Sequence, residues 1–346
     1  LVKDSHKALE DSKALYKEAE RLLYESLGLD SPLYHTNAPF RHTERDKREV
    51  SKPRESKSSN ESMINKRIGK LDSHLQHCDS SDSISSDLDS SLVSLAQNDN
   101  VNSPSLAEGV RGWVKKYPHL NLSIRPLSQS YGISGRLDSE YYQTKYDAIE
   151  RKIRGFSHKK LGDLVTIQKS IEPGSEAYQN EGIEFVRVAN LSKFGISKSD
   201  ICLSKQNFAK ELEKLAPKKE TILLSKDGSI GISYCLEEDL ECITSGAILH
   251  LKVKDKSEIL PQVLSLILNS IAVKLQAERD SGGSIIAHWK ISEIENVLIP
   301  LLDFKLQEQI ALKIQKSFSL RKKAKDLLKT AKFRVENAIE NEGKNA

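Results

Sequence analysis

The spacing of apolar positions changes repeatedly along the chain, and each change marks a boundary. In residues 1–28, Leu9, Tyr16 and Leu23 recur every seven positions, and Ser5, Ser12, Ala19 and Ser26 fill the alternate places. That spacing predicts a helix whose narrow seam alternates large and small residues. It should stop at Gly28, since glycine is the usual residue just past a helix end, and Pro32 follows. The pattern then disappears. Residues 41–112 contain no Phe, Tyr or Trp and are crowded with Ser, Asp, Asn and Lys, as in "DSSDSISSDLDSSLVSLAQNDN". Such a stretch buries too little apolar surface to offset the entropy of ordering it. A flexible polar insert over 30–119 is therefore expected. Limited proteolysis should cut within 41–112 first and leave a resistant core beginning near residues 113–120. Protection of that tract equal to the core's would overturn the expectation.

Aromatic residues return after Trp113, and Tyr141, Tyr142, Tyr146 and Ile149 share one side of a short predicted helix. From 157 to 303 the texture is that of an α+β domain. Its candidate strands are "LVTIQ" (164–168), "EFVRVANL" (184–191), "TILLS" (221–225), "GISYCL" (231–236) and "AILHLKV" (247–253). Gly228 and Gly231 mark a hairpin between the third and fourth of these. Residues 258–280 predict one buried helix, with Val263, Ile267, Ile271 and Leu275 four apart. The last change comes at 304, after which no Gly or Pro occurs until 343. A helix over 304–341 would reach about 57 Å at ~1.5 Å per residue. Its seam places Ile314, Leu328 and Val335 between Ser317, Ala324, Ala331 and Ala338, interrupted by Arg321. The expected architecture is thus α+β: a helix over 1–29, the insert, a globular domain with its lead-in over 120–303, and a helix over 304–346. The two helices should form an antiparallel coiled coil, because both ends of the domain must return to one stalk.

Charge refines this picture. The chain carries 53 Lys+Arg and 49 Asp+Glu, a formal net of +4. Residues 157–303 hold 18 Lys+Arg against 21 Asp+Glu, whereas 304–346 hold 11 against 5. The positive excess lies on the last helix, so charge alone does not make the central domain a nucleic-acid binder. Four scattered cysteines (Cys78, Cys202, Cys235, Cys242) without CxxC spacing fit a reducing cytoplasm. His74, His77 and Cys78 lack a fourth ligand nearby, so a zinc site is not expected. No apolar run approaches the ~20 residues needed to span a bilayer. No GxGxxG follows a strand, and neither a GxxxxGK[ST] loop, a GxSxG elbow nor a Pro-Pro dipeptide occurs. Neither a catalytic centre nor a bound cofactor or metal is therefore expected.

The stretch "SGGSIIAHWKISEIENVLIPLLDFKLQEQIALKI" (281–314) resembles the end of a target-recognition domain in the specificity subunits of type I restriction–modification systems. Gly283, Ser284, Ile285, Ile294, Ile299, Pro300, Gln309 and Ile310 carry the likeness. "ETILLSKDGSIGISY" resembles that family's hairpin, with Thr221 beside the usual Asp position. "ITSGAILHLKV", "GRLDSEYYQTKYD" and "KALYKEAERLLYESLGL" resemble further segments, in the family's order. The likeness covers residues 1–30 and 120–346; the serine-rich stretch departs from it, and one recognition domain stands where the family usually has two.

The resemblance implies a non-catalytic subunit that reads double-stranded DNA. Methylation subunits would dock on its helices, restriction subunits would join through the complex, and a second copy or second recognition domain would complete the site. A natural half-subunit and a piece of a two-domain subunit both remain open. So do two other readings: a coiled-coil assembly protein with a protein-binding domain, and the recognition part of a fused methyltransferase. If DNA is read, the candidates are polar residues on loops. They are Lys169 and Ser170 after the first strand, Arg187 and Asn190 in "RVANLSK", Lys226 and Ser229 in the hairpin, and Ser284, His288 and Lys290 near the terminal turn. Arg and Lys suit guanine and Asn suits adenine. The expected helix-pairing positions are Leu9, Tyr16 and Leu23 against Ile314, Ala324, Leu328, Ala331 and Val335.

Overall fold

Two units make up the computed structural model, Leu1–Asn37 with Asp138–Ala346, and Ala38–Leu137. It describes residues 1–29, 125, 127–131, 135–281 and 287–343. In the second unit the described residues include one 3-10 turn, Leu127–Gln129. The expected insert, the His74–His77–Cys78 group and Ser284 lie outside the described residues.

The first unit begins with α1 (Val2–Leu27), which Gly28 ends in the left-handed conformation at φ 57°. Next come α2 (Thr144–Arg154), β1 (His158–Lys160), the single turn α3 (Leu161–Leu164) and β2 (Val165–Lys169). Short strands follow: β3 (Tyr178–Gln179), β4 (Ile183–Val186), β5 (Leu191–Ser192), β6 (Gly195–Ile196) and β7 (Cys202–Leu203). After α4 (Ala209–Leu215) come β8 (Ile222–Ser225), β9 (Ser233–Cys235), β10 (Cys242–Thr244) and β11 (Ile248–Val253). The chain ends through α5 (Pro261–Leu268), α6 (Ile271–Ser281), α7 (Ile291–Glu295), β12 (Leu298–Pro300) and α8 (Phe304–Gly343).

Two four-stranded sheets organise the domain. One runs β2-β11-β8-β9 with every neighbour antiparallel; the other runs β10-β4-β7-β3, with β10 parallel to β4. All four residues of β8 and the first four of β11 are buried, which explains their mostly apolar texture, with Ser225 and His250 the polar members. Leu224, Leu249 and Leu251 join Val263, Leu264 and Ile267 of α5 in the main core.

The single helix expected over 258–280 is two. Asn269 ends α5 and turns its amide to β9, donating to Ser233 O (2.7 Å) while its Oδ1 accepts the Ser233 N–H (3.1 Å). Those bonds substitute for helix continuation, and α6 restarts at Ile271.

The terminal helices run in opposite directions against each other. Ser5 Oγ donates to Ala324 O at 2.7 Å, and Ser317 Oγ donates to Ser12 O at 2.7 Å. Hydroxyls bonded to the partner helix's carbonyls require close backbones, and the small seam residues permit that approach. Tyr16 and Leu23 are buried while Leu9 is half-buried. Tyr16 meets Phe194 edge-on at 4.9 Å and lies 6.1 Å from Phe318, so the seam merges with the domain core.

Ile314 and Ala324 are buried. Leu328 and Val335 are 55% and 60% exposed, and Ala331 is partly buried. The Ser5–Ala324 register leaves no described residue of α1 beside α8 beyond Leu328.

Candidate functional site

The antiparallel order of the first sheet puts the end of β2, the start of β11 and the end of β8 at one edge. Lys169 pairs with Leu249, and Ile248 pairs with Ser225. The turn from β10 to β11, Ser245–Ala247, crosses this edge. Its Ser245 N–H donates to Val186 O (2.8 Å), which draws the end of β4 and the following Arg187 to the same place. Its Ala247 carbonyl accepts the Lys226 N–H at 2.9 Å. Ile171 forms a parallel bridge with Ser245. Four of the expected residues, distant in sequence, thus gather around one turn: Lys169, Arg187, Lys226 and, through Asp227, His288.

Gly246 sits close to two side chains. A Cβ there would lie 2.8 Å from Glu172 Oε2, so the flexible Glu172 carboxylate would have to shift, and it would meet Lys169 Cε in ordinary contact at 3.4 Å. Gly228 and Gly231 serve the adjoining hairpin differently. They hold φ at 70° and 76°, which L side chains rarely adopt, with open space around them.

The hairpin is locked to the segment after α6. Gly228 N–H donates to Ala287 O and Trp289 N–H to Lys226 O, framing an antiparallel bridge between Asp227 and His288. Trp289, 1% exposed, anchors the segment in the core. Asp227 then holds two cationic or polar groups at once. Its Oδ1 accepts from His288 Nδ1 at 2.9 Å, and its Oδ2 pairs with the Lys226 ammonium. His288 remains 65% exposed.

The other expected residues divide. Lys169 and Ser229 are exposed, and Lys290, at the start of α7, is exposed beside Glu293. Ser170 is buried, with no partner for its hydroxyl among the described residues. Asn190 shapes its own turn: its Oδ1 accepts the Arg187 N–H (3.1 Å) and its Nδ2 donates to Lys198 O (3.3 Å). Asp227, Glu172 and Gly246 were missed by sequence reading, because their role comes from segments the chain brings together only on folding.

Beneath the turn, His250 of β11 is 2% exposed and lies 2.8 Å from Thr244 Oγ1 through Nε2. Burial, with help from Lys252, pushes its pKa down to about 4. Burial also raises the Cys235 and Cys242 thiols to about 12, far from a reactive thiolate at neutral pH. Among the described residues no group of three His, Cys, Asp or Glu could hold a metal, and no helix is long and apolar enough to cross a membrane.

The family model for the type I restriction modification DNA specificity domain matches residues 153–330, just over half of the chain. The chain belongs to that family. The matched span of this specificity domain runs from the last two residues of α2 through most of α8 and contains every element of the gathered edge. A curated relative, the type I restriction enzyme EcoBI specificity subunit of Escherichia coli, is 19% identical over 241 residues. The match covers 66% of this chain and 50% of that protein, so the chain spans about half the relative's length. Two solved structures are also similar. The type I restriction–modification S subunit of M. genitalium matches at 18% identity and a TM-score of 0.34, covering 54% of this chain and 41% of the other. The HsdS subunit of Thermoanaerobacter tengcongensis matches at 17% identity and 0.34, covering 53% and 46%. The sequence likeness noted at 281–314 therefore lies within a family-wide match.

Proposed function

We propose that this chain reads one part of a bipartite double-stranded DNA site as the specificity component of a cytoplasmic type I restriction–modification complex. The supporting observation is the gathering of Lys169, Arg187, Lys226 and His288 around the Ser245–Ala247 turn, within the family-matched span. A few polar side chains at base edges suffice for reading, and phosphate affinity can come from a local basic face and from partners. The net acidity of residues 157–303 does not oppose that. In this reading the globular domain recognises bases, and α1 with α8 forms a coiled-coil stalk that sets spacing and docks methylation subunits. Methyl transfer and cleavage belong to methylation and restriction subunits, and the chain needs no cofactor of its own. The polar insert over 30–119 is a linker, and a second copy or a second recognition domain supplies the other half of the site.

Selection of bound duplexes from random DNA pools, with type I methylation subunits present, tests this. The expected result is a short selected sequence occupying one half of a split site. Recovery of unselected DNA together with tight binding to a protein partner would favour the protein-binding reading, to which the net acidity of residues 157–303 lends weight. Methyl transfer by the purified chain alone would instead place it with fused methyltransferases.

A further inference from the structure

The His288–Asp227 pair has a chemical consequence beyond placing a polar residue at the reading edge. An ionised carboxylate only accepts hydrogen bonds, so the ring nitrogen facing Asp227 Oδ1 at 2.9 Å carries the proton. That nitrogen is Nδ1. In the neutral ring Nε2 is then a bare lone pair, and no hydrogen bond to it is found among the described residues. The backbone holds this arrangement from both sides, through Gly228 N–H to Ala287 O and Trp289 N–H to Lys226 O. The carboxylate is further fixed by the Lys226 ammonium on its other oxygen. The ring stays 65% exposed, whereas Asp227 is 24% exposed and faces its partners. With the ring neutral, an exposed acceptor of fixed tautomer on a glycine-framed hairpin favours a base that presents a donor.

In the major groove adenine and cytosine present an exocyclic amine, while guanine and thymine present a carbonyl at the corresponding place. We infer that His288 reads an amino base, adenine or cytosine, by accepting from its exocyclic amine, and that Asp227 is the positioning residue that makes it an acceptor. This rests on the proposed DNA-reading function and names the chemistry of one of its contacts. Lys226, engaged by Asp227, contributes to holding the pair rather than reading guanine. That differs from what its residue type suggests in sequence.

The test uses the full chain at pH 8 with type I methylation subunits and the duplex selected as above. Each adenine or cytosine of the selected site is replaced in turn by an analogue lacking the amine, purine for adenine and 2-pyrimidinone for cytosine. At one position the wild-type chain should lose about threefold to tenfold in affinity, the worth of one hydrogen bond. Asp227→Asn frees the tautomer, and His288→Ala removes the acceptor. Both should bind the amine-bearing and amine-free duplexes alike at that position, with the remaining preferences kept. His288→Ala alters an exposed side chain, so it carries the test even where Asp227→Asn unfolds. If the variants keep the wild-type dependence on every amine, the role of the pair is overturned while DNA reading stands. If the wild-type chain selects no sequence, the proposed function falls, and this contact falls with it.

Discussion

Between pH 7 and pH 4.5 the folded chain should lose about 2 kcal/mol of stability through His250 alone. The ring is buried in β11 against Thr244, and burial lowers its folded pKa to about 4. Unfolded, it titrates near 6.5. Across that window the unfolded chain binds the extra proton, so stability rises with pH and is fully present above about 6.5. It is lost as the pH falls towards 4. His250→Gln removes the titration while leaving a side chain that can still bond to Thr244. Urea unfolding at the two pH values should show a fall smaller by about 2 kcal/mol in the variant than in the wild type. Parallel falls would mean that the buried neutral ring is not responsible. The site would feel the loss, because Thr244 and Ile248 flank the turn around which Lys169, Arg187 and Lys226 gather.

Periodicity located the long elements well and the site's scaffold poorly, for physical reasons. A helix writes its buried face into the sequence every three to four residues, and α1 and the first half of α8 are accordingly legible. The strands β8 and β11 are mostly apolar, with His250 and Lys252 as the polar positions of β11, and they were found as well. Two-residue strands such as β3, β5, β6 and β7 are too short to show alternation. The break at Asn269 was hidden because its bonds go to β9, more than thirty residues earlier in the chain.

The site followed the same division. Residue type and loop position suggested Lys169, Arg187, Lys226 and His288, but no local pattern could reveal that Asp227 joins two of them across 61 residues. Gln309 carried the family likeness, yet it is exposed. Gln307 makes the buried bonds, donating to Glu258 O and Leu302 O and accepting the Leu260 N–H. Both positions read as polar in sequence, and only the packed start of α8 distinguishes them.

Enlarging the small residues of α8 should have opposite outcomes on the two sides of Leu328. Ala324 is 4% exposed, and its carbonyl accepts the Ser5 hydroxyl at 2.7 Å. Ala324→Leu inserts three carbons where the two backbones approach, and overpacking of this kind costs about 1–3 kcal/mol. Ala331 occupies the next equivalent place on the seven-residue grid, but no described residue of α1 packs beside it and it is only partly buried. Ala331→Leu should therefore change stability by less than about 0.5 kcal/mol. Urea unfolding of the two variants measures the difference directly. Equal costs would show that something other than α1 covers α8 at Ala331. Leu328, Val335 and Ile339, all more than half exposed and on adjoining faces of that segment, would then be its contact surface. Unequal costs, with the base selection of the Ala324→Leu chain unchanged, would separate helix pairing from reading. The pairing would belong to the seam that α1 shares with α8, and the reading to the turn around Gly246.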